Sequence, residues 1–219
     1  MGAQPEPQPR QLRGSQPSAP SQPQPSQRLA PAERRELLID AAEQTFAARG
    51  YTQAGLAEVA TLAGVSKTLL YHYFPDGRPE LYGQVMERLV DQLVEVLADA
   101  VRAPTSMGER LSGLAAGLLG WFEDHPDAYR LLVLEPWGAG DAGVVGQAMA
   151  VRARLAAEIN RLLAPAGQPL PTTMAGGAAA LGVLLHLSEL LLAGQLGHDE
   201  AVDAAQRFVA AGLAALDLL

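Results

Sequence analysis

From Pro31 onward the apolar residues recur every three or four positions, which is the repeat of one face of an α-helix. Leu38, Ala42 and Phe46 follow one another at a spacing of four, and Leu56 begins a second, shorter repeat of the same kind. No stretch shows sustained alternation of β-branched and polar residues, which is the pattern of a half-buried strand. The pattern therefore predicts an all-α protein of about nine helices.

Prolines and glycines divide this helical region into segments. Three short helices are predicted between Pro31 and Tyr73, and the turn at Pro75-Asp76-Gly77 follows them. The later helices are predicted near 79–102, 106–124, 126–135, 144–164, 172–195 and 199–218, with a break at Pro136-Trp137-Gly138. Residues 1–30 are rich in Pro, Gln and Ser and are predicted to be a disordered tail. The chain thus divides into the tail, a small unit at 31–78 and a larger helical bundle at 79–219.

The amino-acid composition excludes several classes of function. Cysteine is absent, so disulfides and thiolate chemistry are excluded, and the four histidines form no cluster with metal-ligand spacing. We therefore expect no metal and no cofactor. Neither a signal peptide nor a continuous membrane span is apparent, which predicts a cytoplasmic protein without a membrane partner.

The formal net charge of −8 argues mildly against a nucleic-acid partner, but it is unevenly distributed. Residues 28–82 hold six basic and seven acidic side chains, whereas residues 83–219 hold eight basic and sixteen acidic ones. The small N-terminal unit is therefore nearly neutral, and a few cations on one of its faces would suffice for binding DNA.

The segment Leu56–Phe74 has the plan of a helix-turn-helix. Two short amphipathic helices are joined by a turn at Gly64, and Ser66 stands where it can cap the second helix. Val65 and Leu70 are expected to face the core and set the angle between the helices. In this motif the N-terminal residues of the second helix enter the major groove of DNA.

The run from Leu37 to Tyr82 resembles the DNA-binding domain of the TetR family. The resemblance lies in Phe46, Gly50-Tyr51, Val59-Ala60, Ala63-Gly64-Val65-Ser66 and Tyr71-His72-Tyr73-Phe74. Two positions depart from the family pattern. Gly55 replaces the usual Thr or Ser cap of the second helix, and the loop before Pro79 is about one residue longer, so that Arg78 is the expected phosphate-binding cation.

The resemblance implies an N-terminal three-helix helix-turn-helix DNA-binding domain, followed by a C-terminal helical ligand-binding and dimerisation bundle. Lys67 and Thr68 would reach base edges. Leu69 would either touch a thymine methyl or belong to the core, with the two alternatives about equal. Tyr73 and Phe74 are expected in the core. The predicted DNA-binding residues are Gly55, Ser66, Lys67, Thr68, Leu69, Tyr71, His72 and Arg78.

The bundle is expected to hold an apolar effector and to pair with a second copy. Core packing remains an equal or better alternative for each aromatic residue of the pocket. Glu135 is a further polar candidate, and the acidic groups mildly favour a neutral or cationic effector. For the dimer, the last two helices are predicted to pair with their copies in a four-helix interface. One helix contributes an apolar stripe with Leu184, Leu187 and Leu191, and the other contributes Val202, Phe208, Val209, Leu213 and Leu216. The predicted ligand-binding residues are Trp121, Phe122, Tyr129, Trp137, His186 and Glu189.

The preferred interpretation is a ligand-responsive repressor that binds an inverted-repeat DNA operator as a homodimer. One alternative is a regulator of the same fold that activates transcription or has no ligand. A remote alternative is a nucleotide-dependent enzyme, because Gly138-Ala139-Gly140-Asp141-Ala142-Gly143 has the GxGxxG spacing. That spacing needs a preceding strand and a βαβ context, and neither is predicted.

Overall fold

The computed structural model of the chain describes residues 30–103, 106–163 and 174–215. This part of the chain contains helices and no strand, so the all-α prediction is confirmed. The tail predicted to be disordered lies almost entirely outside the described residues. The helices are α1 (Pro31–Gln53), α2 (Leu56–Leu62), α3 (Lys67–Tyr73), α4 (Arg78–Ala100), α5 (Met107–Asp124), α6 (Pro126–Tyr129), α7 (Glu135–Gly138), α8 (Ala142–Leu163), α9 (Met174–Leu192) and α10 (His198–Ala215).

Helices α1 to α3 enclose a small core in which Leu38, Phe46, Val59, Leu70 and Phe74 are fully buried. The regular helix that begins at Pro31 is interrupted at Gly50. Gly50 adopts a φ of 74° and a ψ of 168°, so the helix kinks there and then continues to Gln53. A conformation of this kind is essentially restricted to glycine.

Helix α4 joins the N-terminal unit to the bundle, and the apolar core runs through both without interruption. Arg88 of α4 pairs with Asp40 and Glu43 of α1. On another side of α4, Arg154 of α8 pairs with Glu87 and Asp91. Helix α4 is therefore fixed to both parts of the molecule.

The bundle is built around α5, which packs against α4, α9 and α10. Ser106 caps this helix, because its hydroxyl accepts a hydrogen bond from the backbone N–H of Glu109 at 3.3 Å. Helix α8 packs between α4 and α9. Where α8 meets α9, a Cβ at Gly177 would lie 2.4 Å from the carbonyl oxygen of Ala156, so only glycine permits this crossing.

A π turn at Arg130–Leu134 joins α6 to α7 and makes one continuous helical segment. The backbone N–H of Glu135 donates to the carbonyl of Arg130, five residues earlier. The segment ends at Gly138, so the break predicted at Pro136-Trp137-Gly138 lies about three residues later. Pro136 is the second residue of α7, which follows the π turn directly.

The apolar stripe predicted for the dimer interface lies inside the protomer instead. Leu184 and Leu191 are buried in the bundle, and Leu187 is half-buried against it. The outward face of α9 carries small residues, among them Ala178, Ala179 and Gly182. No described helix is long and apolar enough to cross a membrane.

Candidate DNA-binding surface

The turn into α3 has the local geometry of a helix-turn-helix. Gly64 takes a φ of 66°, which allows the chain to reverse after α2. Ser66 then caps α3, because its hydroxyl accepts a hydrogen bond from the backbone N–H of Leu69 at 3.2 Å. The first turn of α3 is thereby held in a fixed conformation at the surface.

One face of α3 is exposed along its whole length. Lys67, Thr68, Tyr71 and His72 are all exposed, and they lie on the side opposite the buried Leu70. These are four of the eight residues that the sequence predicts to contact DNA. Their exposure leaves them accessible to a duplex.

The exposed tyrosine of this face is supported from two sides. The ammonium of Lys67 lies 5.8 Å from the centre of the Tyr71 ring, within the range of a cation–π contact. The ring also lies over Gly77, where an added Cβ would be 3.3 Å from its Cε1 atom. The Tyr71 side chain is 42% exposed. Among the described residues its hydroxyl has no hydrogen-bond partner.

Leu69 is half-buried at the edge of this face, between the two alternatives that the sequence left open. Phe74 is in the core as predicted, and the half-buried Tyr73 packs against that core. Gly55 caps α2 only through its backbone, because its carbonyl oxygen accepts a hydrogen bond from the N–H of Glu58 at 2.9 Å.

Arg78 is less available than the sequence suggested. Its guanidinium donates to the carbonyl oxygen of Thr52 at 3.0 Å and lies 5.7 Å from the centre of the Tyr51 ring. Arg78 therefore ties the start of α4 to the end of α1. An additional contact with a phosphate would have to use its remaining N–H groups.

The aromatic residues predicted to line an effector pocket do not surround a common space. Trp121, Phe122 and Tyr129 are buried and contact one another through edge-to-face ring pairs. The Tyr129 hydroxyl also donates to the carbonyl of Leu185 at 3.2 Å. Trp137 lies apart from them, with its exposed ring 5.0 Å from the guanidinium carbon of Arg152.

His186 and Glu189 lie on the outward face of α9. Their side chains are 68% and 59% exposed, and the imidazole Nδ1 is 3.4 Å from the carboxylate. In the protomer, these two predicted ligand-binding residues pair with each other.

Glu135 points to the N-terminal unit and not into the bundle, contrary to the expectation for a pocket residue. Its carboxylate accepts a hydrogen bond from the backbone N–H of Tyr51 at 3.2 Å, next to the kink at Gly50. The Tyr51 hydroxyl donates to Asp141 at 2.9 Å. Arg130 of the π turn donates to the carbonyl of Ala47. We call these contacts the junction between the two parts.

Burial and charge at the junction keep its tyrosines protonated. Loss of solvation, followed by the hydrogen bond to Asp141, raises the pKa of Tyr51 to about 12. Burial also raises the pKa of Tyr82, whose hydroxyl donates to the carbonyl of Leu131 at 2.6 Å. The same hydrogen bond from Tyr51 lowers the pKa of Asp141. Both hydroxyls are thus stable donors at neutral pH.

The glycine loop has none of the structure that a dinucleotide site needs. Gly138 ends α7, Gly140 adopts a φ of 65°, and Gly143 lies in the first turn of α8. The element before the loop is a helix, and the described residues contain no strand. In the described residues the loop therefore lacks the strand and the βαβ unit that a nucleotide-dependent enzyme would need here.

Comparison with known proteins agrees with this geometry. The family model described as "Bacterial regulatory proteins, tetR family" matches residues 38–83, which include α2, α3 and the start of α4. A transcriptional activator named FasR from Mycolicibacterium smegmatis is 38% identical over 126 residues, which are 55% of this chain and 57% of that protein. Residues 38–83 therefore form a DNA-binding region of the TetR-family type.

The likeness to TetR-like proteins extends to the rest of the fold. A TetR-like transcriptional regulator from Rhodococcus sp. RHA1 has a solved structure that superposes with a TM-score of 0.62 at 25% identity, covering 85% of this chain and 99% of that one. The regulator BetI from Brucella canis is 36% identical over 88 residues, or 40% of this chain and 43% of that protein. The chain spans about half the length of the FasR and BetI relatives that it matches.

Proposed function

We propose that the protein is a ligand-responsive transcriptional regulator that binds an inverted-repeat operator as a homodimer and represses transcription until an effector releases it. The observation that carries this proposal is the exposed face of α3, formed by Lys67, Thr68, Tyr71 and His72. A recognition helix needs such a face, with its first turn fixed by a cap and its opposite side buried. Acting on DNA would place the protein in the cytoplasm.

The proposed dimer uses the outward faces of α9 and α10. A groove of about 520 Å³ lies between these helices, lined by small residues of α9 and by Phe208 of α10. The Phe208 side chain is 72% exposed, which is unusual for an aromatic residue in water. Pairing of two such faces about a two-fold axis would bury both grooves and both phenylalanines.

Effector response requires that the bundle and the DNA-binding domain be mechanically connected. The junction supplies the connection, because Glu135 and Arg130 bond to the backbone at the end of α1. A ligand that moves the π turn would therefore move α1 and, with it, α3. The ligand acts only through its difference in affinity for the two conformations, and about 1.4 kcal/mol of coupling corresponds to a tenfold change in operator affinity.

Activation is the second candidate, and one observation favours it. The relative with 38% identity is named as a transcriptional activator. Repression and activation use the same DNA-binding face and differ in where the operator lies relative to the promoter. A reporter gene controlled by the natural upstream region, measured with and without the regulator, separates the two.

The proposal is tested by selecting DNA bound by the full chain from a random double-stranded pool. Enrichment of an inverted repeat is expected, with half-sites separated by about one helical turn (34–36 Å) or a multiple. A pool without an enriched sequence would contradict the proposal, and an enriched site without two-fold symmetry would contradict the dimer.

A further inference from the structure

A second apolar groove lies on the outside of the bundle between α8 and α9. Its volume is about 460 Å³, which is within the usual range of small-molecule sites. Ala153 and Ala157 of α8 and Ala178 and Gly182 of α9 form its walls, and these short side chains leave the space open. The groove is therefore wide enough for a hydrocarbon chain.

Arg152 is the one charged residue that lines this groove. Its guanidinium donates to the carbonyl of Val133 at 3.2 Å and stacks on the ring of Trp137. Its Nε atom is buried and has no hydrogen-bond partner. In the described part of the chain no carboxylate pairs with Arg152, whereas Arg88 and Arg154 each bond to two carboxylates.

A half-buried cation without a counter-ion is costly, because it loses part of its hydration and receives no opposite charge in return. Burial lowers the pKa of Arg152, which reflects this loss of solvation. A guanidinium nevertheless stays protonated in proteins. A bound anion would restore the missing partner through a charge-assisted hydrogen bond.

We propose that this groove binds an amphipathic carboxylate, with its headgroup on Arg152 and its alkyl chain along the small residues of α8 and α9. The inference rests on the proposed function, because it names the chemical class of the effector. It reverses the expectation from the sequence, which favoured a neutral or cationic ligand. The reversal arises because Glu135 faces the junction and leaves Arg152 as the charged group beside an apolar space.

The position of Arg152 also connects the groove to the DNA-binding domain. Val133, whose carbonyl it holds, belongs to the π turn, and Glu135 follows two residues later. A carboxylate on the guanidinium competes with that carbonyl for the N–H donors of Arg152. The π turn then loses its hydrogen bond from Arg152, and the hydrogen bond from the Tyr51 amide to Glu135 weakens.

The test is calorimetric titration of the full chain with decanoate, and in parallel with decan-1-ol, below the concentrations at which micelles form. Decanoate is expected to bind saturably, one per protomer, at least about tenfold more tightly than the alcohol, which corresponds to roughly 1.4 kcal/mol. Arg152→Gln is expected to remove this preference for decanoate. The matched control is Arg161→Gln, a change on the same helix at an exposed arginine that pairs with Glu158.

Ala153→Phe provides a second variant, because it fills the groove without touching Arg152. It is expected to abolish decanoate binding while light scattering shows an unchanged oligomeric state. Hydrogen exchange of the Tyr51 amide is expected to speed up when decanoate is added to the wild type. Circular dichroism of each variant confirms that its helices are intact.

Four outcomes would overturn the proposal: equal binding of decanoate and the alcohol, equal effects of the Arg152 and Arg161 changes, undiminished binding to Ala153→Phe, or unaltered exchange at Tyr51. If Ala153→Phe instead yields a monomer that still binds decanoate, the groove is an interface between copies and the proposal is wrong. None of these assays contains DNA, so their failure is distinguishable from a failure to select an operator.

Discussion

Gly50 and Glu135 are 85 positions apart in the chain, yet a Cβ at Gly50 would lie 2.6 Å from the Oε1 atom of Glu135. The carboxylate occupies the space that the missing side chain leaves and bonds to the N–H of the next residue, Tyr51. The kink in α1 therefore leaves room for the Glu135 carboxylate, which follows the π turn. This contact is one of the links between the DNA-binding domain and the bundle.

Replacing Gly50 is predicted to strain this link in two ways. In Gly50→Ala the new Cβ meets the carboxylate, and alanine must adopt a φ of 74° that it strongly disfavours. The free energy of unfolding should fall by about 1–3 kcal/mol, measured by urea denaturation. The matched control is Gly146→Ala in α8, where a Cβ meets nothing within 4 Å and stability should rise by up to about 1 kcal/mol. Equal stability of the two variants would contradict the packing described for Gly50.

Tyr51 should make the stability of the protein sensitive to alkaline pH. Its pKa is raised to about 12, whereas a tyrosine in an unfolded chain ionises near pH 10. Its contribution is therefore fully present below about pH 10 and is lost as the pH rises toward 12. The free energy of unfolding should decline over this range, and the decline should be smaller in Tyr51→Phe than in the wild type.

The exposed Tyr71 provides the control for this measurement. Tyr71→Phe removes the same hydroxyl from a side chain that is 42% exposed and lies away from the junction, and the alkaline decline should stay as in the wild type. Tyr82 contributes to the decline in all three proteins, so only the difference between the wild type and each variant is compared. A decline in Tyr51→Phe as steep as in the wild type would exclude the proposed role of the hydrogen bond to Asp141.

The dimer proposal makes Phe208 the most sensitive position on α10. Phe208→Glu would place a charge in the apolar face and should convert the protein to a monomer at micromolar concentration, as measured by light scattering. Val96→Glu is the control, since Val96 is also an exposed apolar residue but lies on α4. If both variants retain the size of the wild type, or if the wild type is itself a monomer, the interface has been placed wrongly.

The helix-turn-helix could be predicted from the sequence because its determinants are local. Ser66 caps an amide only three residues away, and Gly64 makes its turn within the motif. The burial of Leu70 and Phe74 follows from the helical repeat. Residues so close in the chain meet in any arrangement of the remaining helices.

The junction could not be predicted in this way. The hydrogen bond from Tyr51 to Glu135 joins residues 84 positions apart, and no pattern in the sequence marks the π turn that brings them together. The sequence makes Glu135 a polar candidate for the pocket because it lies within the predicted bundle. Its actual direction depends on one extra residue in the helical turn before it.

Helix α9 shows a second limit, since nearly all of its residues are apolar or small. When every face of a helix is apolar, the repeat does not distinguish the side that meets the protomer's own core from the side that meets a partner. Leu184 and Leu191 were therefore assigned to the wrong side. Side-chain size was the missing criterion, because the larger residues fill the core and the smaller ones remain outside.

The account depends most on the exposed face of α3, and operator binding by variants of that face tests it directly. Lys67→Ala and Tyr71→Phe are measured against wild type by fluorescence anisotropy on the selected operator at several salt concentrations. Arg102→Ala, at an exposed arginine near the end of α4, serves as the control. Affinity should fall about fivefold or more in each α3 variant, corresponding to roughly 1 kcal/mol for one lost hydrogen bond. The salt slope of Lys67→Ala should shrink by about one unit if its ammonium meets a phosphate. Wild-type affinity in both α3 variants, with the fold intact, would contradict the assignment of α3 as the recognition helix.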